Sequence, residues 1–375
     1  MNSLLSRGSS LAYKKAFKPI LFRQKPDDVH ERLLRSGSHI QNIPVIREAL
    51  KKAWSFSDPS LEQSVFGLTF NNPVGLSAGF DKNFELPGLL SAIGFGFMEG
   101  GSLTYRPYAG NPKPWFTRLP KTESIVVYAG LANQGVDVIT KRLKSYPATV
   151  FKNFPLNISV AKTNSPKTCT DDEAISDYVG SLKILNQNHL GDMYTLNISC
   201  PNTYGGEPFT TKDRLNRLLG KVDQLNLTKP LIVKMPSDKS WKEFNQLLRV
   251  IIEHKVSGVT ICNLAKDRSK VQLKDPLPDA VLGNLSGRPV WELSNALIKK
   301  TYQNYGDKLI IIGVGGIFSA EDAYTKIKLG ATLVELVTGL IFEGPQLIGQ
   351  INQGLSELVK KDGYANICEA IGIDA

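Results

Sequence analysis

The chain lacks the sequence features that mark secreted, membrane-spanning and metal-binding proteins. No apolar run in its 375 residues approaches the roughly 20 that a membrane-spanning helix needs. No apolar signal-peptide core precedes a small-residue cleavage site, so we do not expect secretion. Four cysteines are present, Cys169, Cys200, Cys262 and Cys368, and they lie too far apart in sequence to suggest a zinc or iron–sulfur site. We therefore expect an intracellular protein with reduced thiols and no metal ion.

Acidic residues are absent from residues 1–26, which contribute +6 to the net charge of +10. The rest of the chain is only mildly basic, whereas a nucleic-acid enzyme usually carries its basic stripe on the folded body. A basic and apolar segment favours docking on an anionic membrane surface. A solvated tail and an acid-poor organelle-targeting segment are the alternatives. The basic residues are Arg7, Lys14, Lys15, Lys18, Arg23 and Lys25.

Eight short apolar runs follow residue 70, and helical patterns such as 171–188, 240–255 and 319–330 separate most of them. The runs are nearly continuous rather than alternating, which is typical of parallel strands buried on both faces. Eight such strands with crossover helices predict an α/β fold, a (β/α)8 TIM barrel, with a doubly wound open sheet as the alternative. The predicted strands are 72–80, 96–104, 156–161, 193–200, 231–235, 258–263, 309–316 and 332–339.

Helix signals replace strand signals in the first 70 residues. Pro26 precedes two aspartates and Gly37 follows the last apolar turn, which predicts a helix between them. Residues 43–54 form a second amphipathic pattern. We expect a helical module at 1–68 before a barrel at 69–375, and the alternative is that one or two helices simply cover the barrel bottom. The apolar face of the second helix consists of Val45, Ile46, Ala49, Leu50 and Ala53.

Small and polar residues follow the predicted strands, where the active sites of such barrels lie. Two lysines and several amides at one barrel mouth have no role in a hydrophobic core, where unpaired polar groups are costly. They suit a planar heterocycle with carbonyl and N–H groups. The residues, in chain order, are Ala78, Gly79, Lys82, Ser102, Asn157, Asn197, Asn202, Lys234 and Asn263.

The last two predicted strands lead into glycine-rich turns. Gly315 and Gly316 precede a helix start, and Thr338 and Gly339 follow the eighth strand. Backbone N–H groups at this position form the usual phosphate site of a barrel. The turn at 313–316 lacks the third glycine of the GxGxxG dinucleotide fingerprint, so a mononucleotide-type cofactor fits better.

A cysteine ends the fourth predicted strand, in the segment "NISCPNT". A free thiol has a pKa of about 8.5, and nearby cations lower it. Cys200 in this polar turn would therefore serve as a base that removes a carbon-bound proton while hydride leaves the neighbouring carbon. The alternative is a small buried hydrophobic residue.

The chain resembles the dihydroorotate dehydrogenase family, above all its membrane-associated, quinone-using class. The resemblance covers nearly the whole chain and is carried by motifs in the family's order: "NPVGLSAGFDKN", "GSLTYRPYAGNPKPWFTRLP", "NISCPNT", "DRSKVQ", "NLSGRP", "IIGVGGI" and "IFEGP". It implies an FMN-binding (β/α)8 barrel that oxidises (S)-dihydroorotate to orotate in de novo pyrimidine synthesis and passes electrons to a quinone. It also implies a peripheral membrane protein, on the cytoplasmic face or, in a eukaryote, at the mitochondrial inner membrane.

The same resemblance implies roles for single residues. The segment 1–68 would form a tunnel to the flavin, with His30 and Arg118 in its wall. Substrate contacts would be Lys82, Asn197, Asn202 and Asn263. The FMN contacts would be Ala78, Gly79, Lys82, Ser102, Asn157, Asn197, Lys234, Gly287, Gly315, Gly316, Thr338 and Gly339.

Four positions depart from the pattern of the quinone class. Cys200 stands where that class has serine, as in the soluble classes, and Val127 stands where the family has a substrate-binding asparagine. Leu264 replaces a hydroxyl residue, and Val337 replaces a tyrosine near the flavin. A valine cannot pair with a polar group of the substrate. A divergent FMN oxidoreductase for another unsaturated ring or enoate, and a flavin-binding protein without turnover, are therefore the alternatives. Fumarate is the alternative acceptor, and an NAD route would need an iron–sulfur partner.

Overall fold

The computed structural model describes residues 3–375, so Met1 and Asn2 of the basic segment lie outside the described residues. The chain starts with helices, as the sequence predicted. Among residues 3–375, no helix combines the length and the apolar character needed to cross a membrane. The helices are α1 (Ser3–Ala12), α2 (Lys18–Phe22), α3 (Pro26–Ile40) and α4 (Pro44–Trp54), with a π-helical turn at Tyr13–Phe17.

Helix α3 begins at Pro26, as predicted, but it does not end at Gly37. It continues to Ile40, and Gly37 is buried within it. A Cβ atom built on Gly37 would lie 2.6 Å from Leu86 Cδ2. The glycine therefore allows α3 to pack closely on the barrel rather than ending the helix.

Eight parallel strands form a closed barrel in which each strand pairs with its neighbour in sequence. Closure occurs where the eighth strand pairs with the first, with Val334 opposite Val74. The predicted (β/α)8 barrel is therefore confirmed, and the open sheet is wrong. The strands are β1 (Val74–Leu76), β2 (Phe97–Leu103), β3 (Leu156–Val160), β4 (Met193–Asn197), β5 (Leu231–Lys234), β6 (Gly258–Ile261), β7 (Ile310–Val314) and β8 (Leu333–Leu336).

Helices return the chain from the end of each strand to the start of the next. Capping boxes begin two of them, where Thr170 pairs with Glu173 and Ser240 pairs with Glu243. Each cap satisfies backbone N–H groups that have no partner within the helix. The helices are α5 (Pro87–Ala92), α6 (Val136–Ser145), α7 (Asp171–Gln187), α8 (Lys212–Asp223), α9 (Trp241–Ile251), α10 (Trp291–Tyr305), α11 (Ala320–Lys328), α12 (Thr338–Glu343) and α13 (Leu347–Lys361).

Two small sheets complete the barrel at its opposite ends. An antiparallel hairpin, Gln63–Val65 with Leu68–Phe70, covers the bottom, where Phe70 contacts Phe97 edge to face at 5.4 Å between ring centroids. At the mouth, Ser124–Val127 pairs with both Phe116–Leu119 and Asn284–Leu285. Because apolar side chains fill the bottom and not the mouth, the mouth is the end of the barrel at which a ligand can bind.

A fully buried lysine lies between α10 and α11. Lys326 Nζ donates to Ser294 Oγ at 2.9 Å and to Asn295 Oδ1 at 2.8 Å, and it lies 4.8 Å from the ring centroid of Trp291. Within residues 3–375, no acidic side chain forms an ion pair with it. Burial lowers the pKa of Lys326 from 10.5 to about 7.

Stability is expected to depend on pH through Lys326. Its pKa is about 7 in the folded chain and 10.5 without the protein's influence, so folding releases a proton between these values. The folded state therefore gains stability as the pH rises from 7 towards 10. Lys326→Met cannot titrate. In melting curves between pH 6 and 10, its melting temperature relative to that of the wild type should be highest at pH 6. Lys361→Met, at an exposed lysine, is the control. A wild-type-to-variant difference that stays constant with pH would contradict the assignment.

Candidate functional site

One continuous cavity of about 560 Å³ runs from the mouth of the barrel to the N-terminal helices. Its inner end is polar and contains Lys82, Ser102, Asn197, Lys234 and Asn263. Its outer end is lined by apolar side chains of three N-terminal helices, α2, α3 and α4. The cavity therefore joins the N-terminal helices to the barrel mouth, although their residues are far apart in the sequence. The outer lining residues are Leu21, Phe22, Val29, Leu33, Ile40, Ile46, Leu50 and Trp54.

Two lysines enter the cavity from opposite sides of the barrel mouth. Lys82 follows β1, and its ammonium lies 5.1 Å from the ring centroid of Phe116. Burial lowers its pKa to about 8, although the carboxylates of Asp81 and Asp27 oppose that shift. Lys82 therefore still carries most of its positive charge at pH 7. Such a partly desolvated cation suits an anionic group of a ligand.

The second lysine, Lys234, ends β5 above a pair of buried carboxyl groups. Its Nζ donates to Ser77 Oγ at 3.1 Å and lies 3.4 Å from Glu99 Oε2. Glu335 is fully buried beside Glu99, and burial together with the charge of Glu99 raises the pKa of Glu335 well above its ordinary value. One ionised carboxylate thus balances one lysine, because two adjacent buried carboxylates cannot both ionise readily. Both glutamates interrupt predicted apolar strands, and the sequence analysis gave them no role.

Replacing the two glutamates should have different effects on stability. Glu335→Gln keeps a neutral hydrogen-bonding group and should melt within about 2 °C of the wild type at pH 7. Glu99→Gln removes the carboxylate that contacts Lys234 Nζ, and loss of one partner of a buried ion pair costs up to roughly 3–5 kcal/mol. Thermal melts of the two variants, each the control for the other, test this. If Glu335→Gln is the more damaging change, Glu335 rather than Glu99 is the partner of Lys234.

Amides and hydroxyls form one connected wall of the cavity. Asn197 Nδ2 donates to Ser102 Oγ at 2.9 Å, and Ser102 Oγ lies 2.8 Å from Ser159 Oγ. Asn263 Nδ2 donates to Ser199 Oγ at 3.0 Å and contacts Asn197 Oδ1 at 3.3 Å. These bonds fix the two asparagines before a ligand binds, as a preorganised site requires.

Glycines bring the backbone to the cavity near the ends of β7 and β8. Gly315 and Gly316 have φ values of 109° and 74°, which L-residues rarely adopt. A Cβ atom on Gly315 would lie 2.7 Å from Val290 Cγ1, and one on Gly316 would lie 2.9 Å from Trp291 Cβ. The cradle therefore accepts only glycine at these positions. Thr338 adds a hydroxyl 2.8 Å from Ser286 Oγ.

Most of the predicted cofactor residues line this one cavity, but Asn157 does not. Asn157 is fully buried in β3, and its Nδ2 donates to Thr195 Oγ1 at 2.8 Å. It lies deeper in the barrel than Ser159 on the same strand face. The members that do line the cavity are Ala78, Gly79, Lys82, Ser102, Asn197, Lys234, Gly287, Gly315, Gly316, Thr338 and Gly339.

Cys200 lies beside the main cavity rather than in its wall. It lines a separate void of about 10 Å³ together with Lys162 and Asn197, and Asn197 also borders the main cavity. Burial raises the pKa of the Cys200 thiol to about 11, although the backbone N–H of Asn202 and the ammonium groups of Lys162 and Lys234 lower it. Desolvation is the larger effect, so the thiol pKa is not lowered by the nearby cations as the sequence analysis expected.

The three apolar departures, Val127, Leu264 and Val337, all line the cavity. Asn202 lies behind Val127 and donates from Nδ2 to Val127 O at 2.9 Å. Asn202 also accepts a hydrogen bond from Asn284 Nδ2 at 2.7 Å. The sequence analysis missed Asn284, because only the pairing of two distant strands brings it to the site.

His30 and Arg118, the two residues that the family resemblance assigns to a tunnel wall, both line the outer half of the cavity. His30 lies edge to face between Phe80 and Phe116, and burial lowers its pKa to about 3. It is therefore neutral at physiological pH. Arg118 Nη1 donates to Leu21 O at 3.1 Å and to Gln24 O at 2.9 Å, so it fastens the turn between α2 and α3 to the barrel.

Known proteins resemble this chain over nearly its whole length. The sequence model of the family described as "Dihydroorotate dehydrogenase" matches residues 60–359. The "Dihydroorotate dehydrogenase (quinone)" of Nostoc punctiforme is 35% identical over 375 residues, with 96% of this chain and 98% of the relative covered. The protein of that name from Nitratiruptor sp. is 36% identical over 361 residues, with the same coverage.

A solved structure agrees with the sequence matches. The crystal structure of DHODH from Eimeria tenella in complex with ferulenol superposes with a TM-score of 0.81 at 26% identity and covers 95% of this chain and 98% of its own. The similarity therefore includes the N-terminal helices as well as the barrel. The chain belongs to the dihydroorotate dehydrogenase family.

Proposed function

We propose that the protein oxidises (S)-dihydroorotate to orotate in pyrimidine synthesis, with FMN as its cofactor and a membrane quinone as the electron acceptor. One observation carries the proposal: a single cavity connects the polar barrel mouth with an apolar outlet between the N-terminal helices. A polar substrate and an apolar acceptor can therefore approach the same cofactor from different ends. The names of the curated relatives support this assignment.

The residues of the barrel mouth fit FMN. The cradle of Gly287, Gly315, Gly316 and Gly339 with Thr338 would bind its phosphate through backbone N–H groups and a hydroxyl. Ala78 and Gly79 would border the flavin ring. A Cβ atom built on Gly79 would meet no atom within 4 Å, so there is open space for a ligand beside this backbone. When bound, FMN would accept a hydride from the substrate and pass the electrons to the acceptor. Lys234 would hold a positive charge beside the ring, and Ser102 and Asn197 complete the proposed cofactor residues, whereas Asn157 lies deeper in the barrel and outside the cavity wall.

The substrate would be bound by charge and by amides. Lys82 would pair with the carboxylate of dihydroorotate, which explains a buried cation that no carboxylate of the protein contacts within 4 Å in residues 3–375. Asn197, Asn202 and Asn263 would read the carbonyl and N–H groups of the ring. Amides can do both, because each carries two donors and one acceptor.

Cys200 would remove the proton from the carbon next to the one that loses hydride. The C–H bond breaks, its electrons form the new carbon–carbon double bond, and the thiolate becomes a thiol. The peptide segment between Asn197 and Asn202 would carry the thiol to the substrate, and Tyr178 holds its start through a 2.8 Å hydrogen bond to Asn197 O. Lys162 and Lys234, which already lower the pKa of this thiol, would favour the thiolate.

The segment 1–68 would guide the quinone and contact the membrane surface. Apolar side chains remain exposed on α1, α2 and α4, including Leu11, Ile20 and Val45, and Val45 is 79% exposed. Lys15 and Lys18 lie among them on the same segment. This combination suits peripheral binding to an anionic bilayer, with His30 and Arg118 in the tunnel wall. We place the protein on the cytoplasmic face of a membrane or, in a eukaryote, at the mitochondrial inner membrane. We propose residue 68 as the boundary between this segment and the barrel.

Steady-state turnover with different acceptors tests the proposal. The purified protein should contain FMN that acid releases, and dihydroorotate should reduce a short-chain quinone at a rate of the order of 1–10³ s⁻¹. Fumarate and NAD⁺ serve as the alternative acceptors. Turnover with fumarate but not with quinone would overturn the acceptor, and a colourless protein that FMN cannot reconstitute would overturn the whole proposal.

A further inference from the structure

Asn284 lies directly opposite Val127 at the mouth of the barrel. The short strand Asn284–Leu285 is antiparallel to Ser124–Val127, and Asn284 and Val127 are Cα partners in that pair. Side chains of directly opposed residues point to the same face of a sheet. Val127 lines the substrate end of the cavity, where the family pattern has an asparagine. An amide is therefore present beside this position, but it comes from the neighbouring strand.

Asn284 is bonded to a residue that we assign to substrate binding. Its Nδ2 donates to Asn202 Oδ1 at 2.7 Å, and Asn202 Nδ2 donates to Val127 O at 2.9 Å. Asn111 Nδ2 also donates to Asn202 O, at 3.1 Å. Within residues 3–375, no group donates a hydrogen bond to Asn284 Oδ1. Asn284 is only half-buried, so this oxygen can accept a bond from a ligand or from water.

These bonds determine which end of the Asn202 amide is the donor. An asparagine can present either its oxygen or its nitrogen to a ligand, and rotation of the amide exchanges the two. The side-chain oxygen of Asn202 accepts a hydrogen bond from Asn284 Nδ2. One of the two hydrogens on Asn202 Nδ2 is donated to Val127 O. Within residues 3–375, no acceptor takes the second Nδ2 hydrogen, which leaves it for a ligand carbonyl. The pair therefore fixes the hydrogen-bonding pattern that a ring ligand meets.

We propose that Asn284 is a positioning residue that replaces the amide missing at Val127 and selects a ring with alternating carbonyl and N–H groups. It acts by holding Asn202 with its donor towards the ring carbonyl. This inference rests on the proposed function, because it takes dihydroorotate and orotate as the ligands. A purely structural role would be to tie the short strand to the Asn202 turn, which would affect folding but not ligand discrimination.

Orotate binding to the FMN-loaded protein tests the inference, followed by the change in flavin absorbance. Asn284→Ala should weaken orotate binding by about tenfold or more, because it removes the part-buried hydrogen bond that orients Asn202, and it should raise the KM for dihydroorotate more than it lowers kcat. Val127→Asn added to Asn284→Ala restores an amide across the strand pair and should recover part of the affinity. Asn304→Ala, at an exposed asparagine of α10, is the matched control.

Asn284→Asp is the second variant, because it is nearly isosteric and should fold even if Asn284→Ala does not. Its carboxylate opposes Asn202 Oδ1 and the anionic ligand, so orotate should bind more weakly still. Orotate affinity within twofold of the wild type in either folded variant would overturn the inference. If the wild-type protein itself binds no orotate, the proposed function fails, and this result is distinct because it precedes any comparison of variants.

Discussion

Replacing Cys200 with alanine is expected to slow the reduction of bound flavin by dihydroorotate by roughly a hundred- to ten-thousandfold, the contribution of a positioned general base. The variant should keep its fold and its cofactor, because Cys200 lies outside the cavity that would bind FMN. Stopped-flow absorbance under anaerobic conditions measures the rate directly.

Cys368→Ala is the control, since Cys368 is an exposed cysteine away from the barrel mouth. It should reduce its flavin at the wild-type rate. If Cys200→Ala does the same, Cys200 is not the base and the turn after β4 has only a structural role. Comparable losses in both variants would point to a general effect of thiol removal.

The pH dependence of the same reaction follows from the thiol pKa. The base must be a thiolate, and burial raises the pKa of Cys200 to about 11. Below the effective pKa, the thiolate fraction grows tenfold with each pH unit, so the rate of flavin reduction should rise with pH. Cys200→Ser should keep some activity and need a higher pH, because a hydroxyl is less acidic than a thiol. A rate that falls as pH rises from 6 to 9 would contradict this role.

Removal of residues 1–24 is expected to abolish liposome binding and to reduce quinone turnover at least tenfold. Each basic residue near an anionic bilayer contributes about 1 kcal/mol, and residues 1–24 carry five of the six basic residues of the segment 1–26 and no acid. The deletion also removes Leu21 and Phe22 from the outer wall of the cavity. Flavin reduction by dihydroorotate should continue, since the barrel mouth is left intact. Sedimentation with anionic vesicles and the two half-reactions measure these effects.

A full-length variant separates charge from hydrophobic packing. Changing Lys15 and Lys18 to glutamine leaves α1 and α2 in place, so it should weaken vesicle binding but leave turnover with a soluble short-chain quinone nearly unchanged. Lys14 is kept in this variant because it pairs with Glu343 of α12. Equal losses of flavin reduction and quinone turnover in the deletion would contradict a separate role for the N-terminal helices.

The strands were predictable from the sequence because burial on both faces leaves a local signal. All eight predicted runs contain the observed strands, including short ones such as Val74–Leu76. The helix starts at Pro26 and Asp171 were equally local, since proline and acidic residues mark the first turn. The end at Gly37 was wrong, because the need for glycine there comes from contact with Leu86 and not from the chain itself.

The site was less predictable wherever its chemistry depends on contacts between strands. The lysines and the glycine cradle follow strand ends and were found. The pairing of Glu99 with Glu335 required the closed barrel, and the contact of Asn284 with Asn202 required the small sheet at the mouth. The raised pKa of Cys200 also escaped the sequence, because desolvation depends on how the polar turn folds. Charges were visible in the sequence, whereas their burial was not.

The most direct test of the central claim is anaerobic titration of the FMN-loaded protein with (S)-dihydroorotate, followed at the visible flavin absorbance. We predict that one equivalent of substrate bleaches one equivalent of flavin and yields one equivalent of orotate, and that adding a quinone restores the oxidised spectrum. A flavin that stays oxidised with excess dihydroorotate, but bleaches when dithionite is added, would contradict the account.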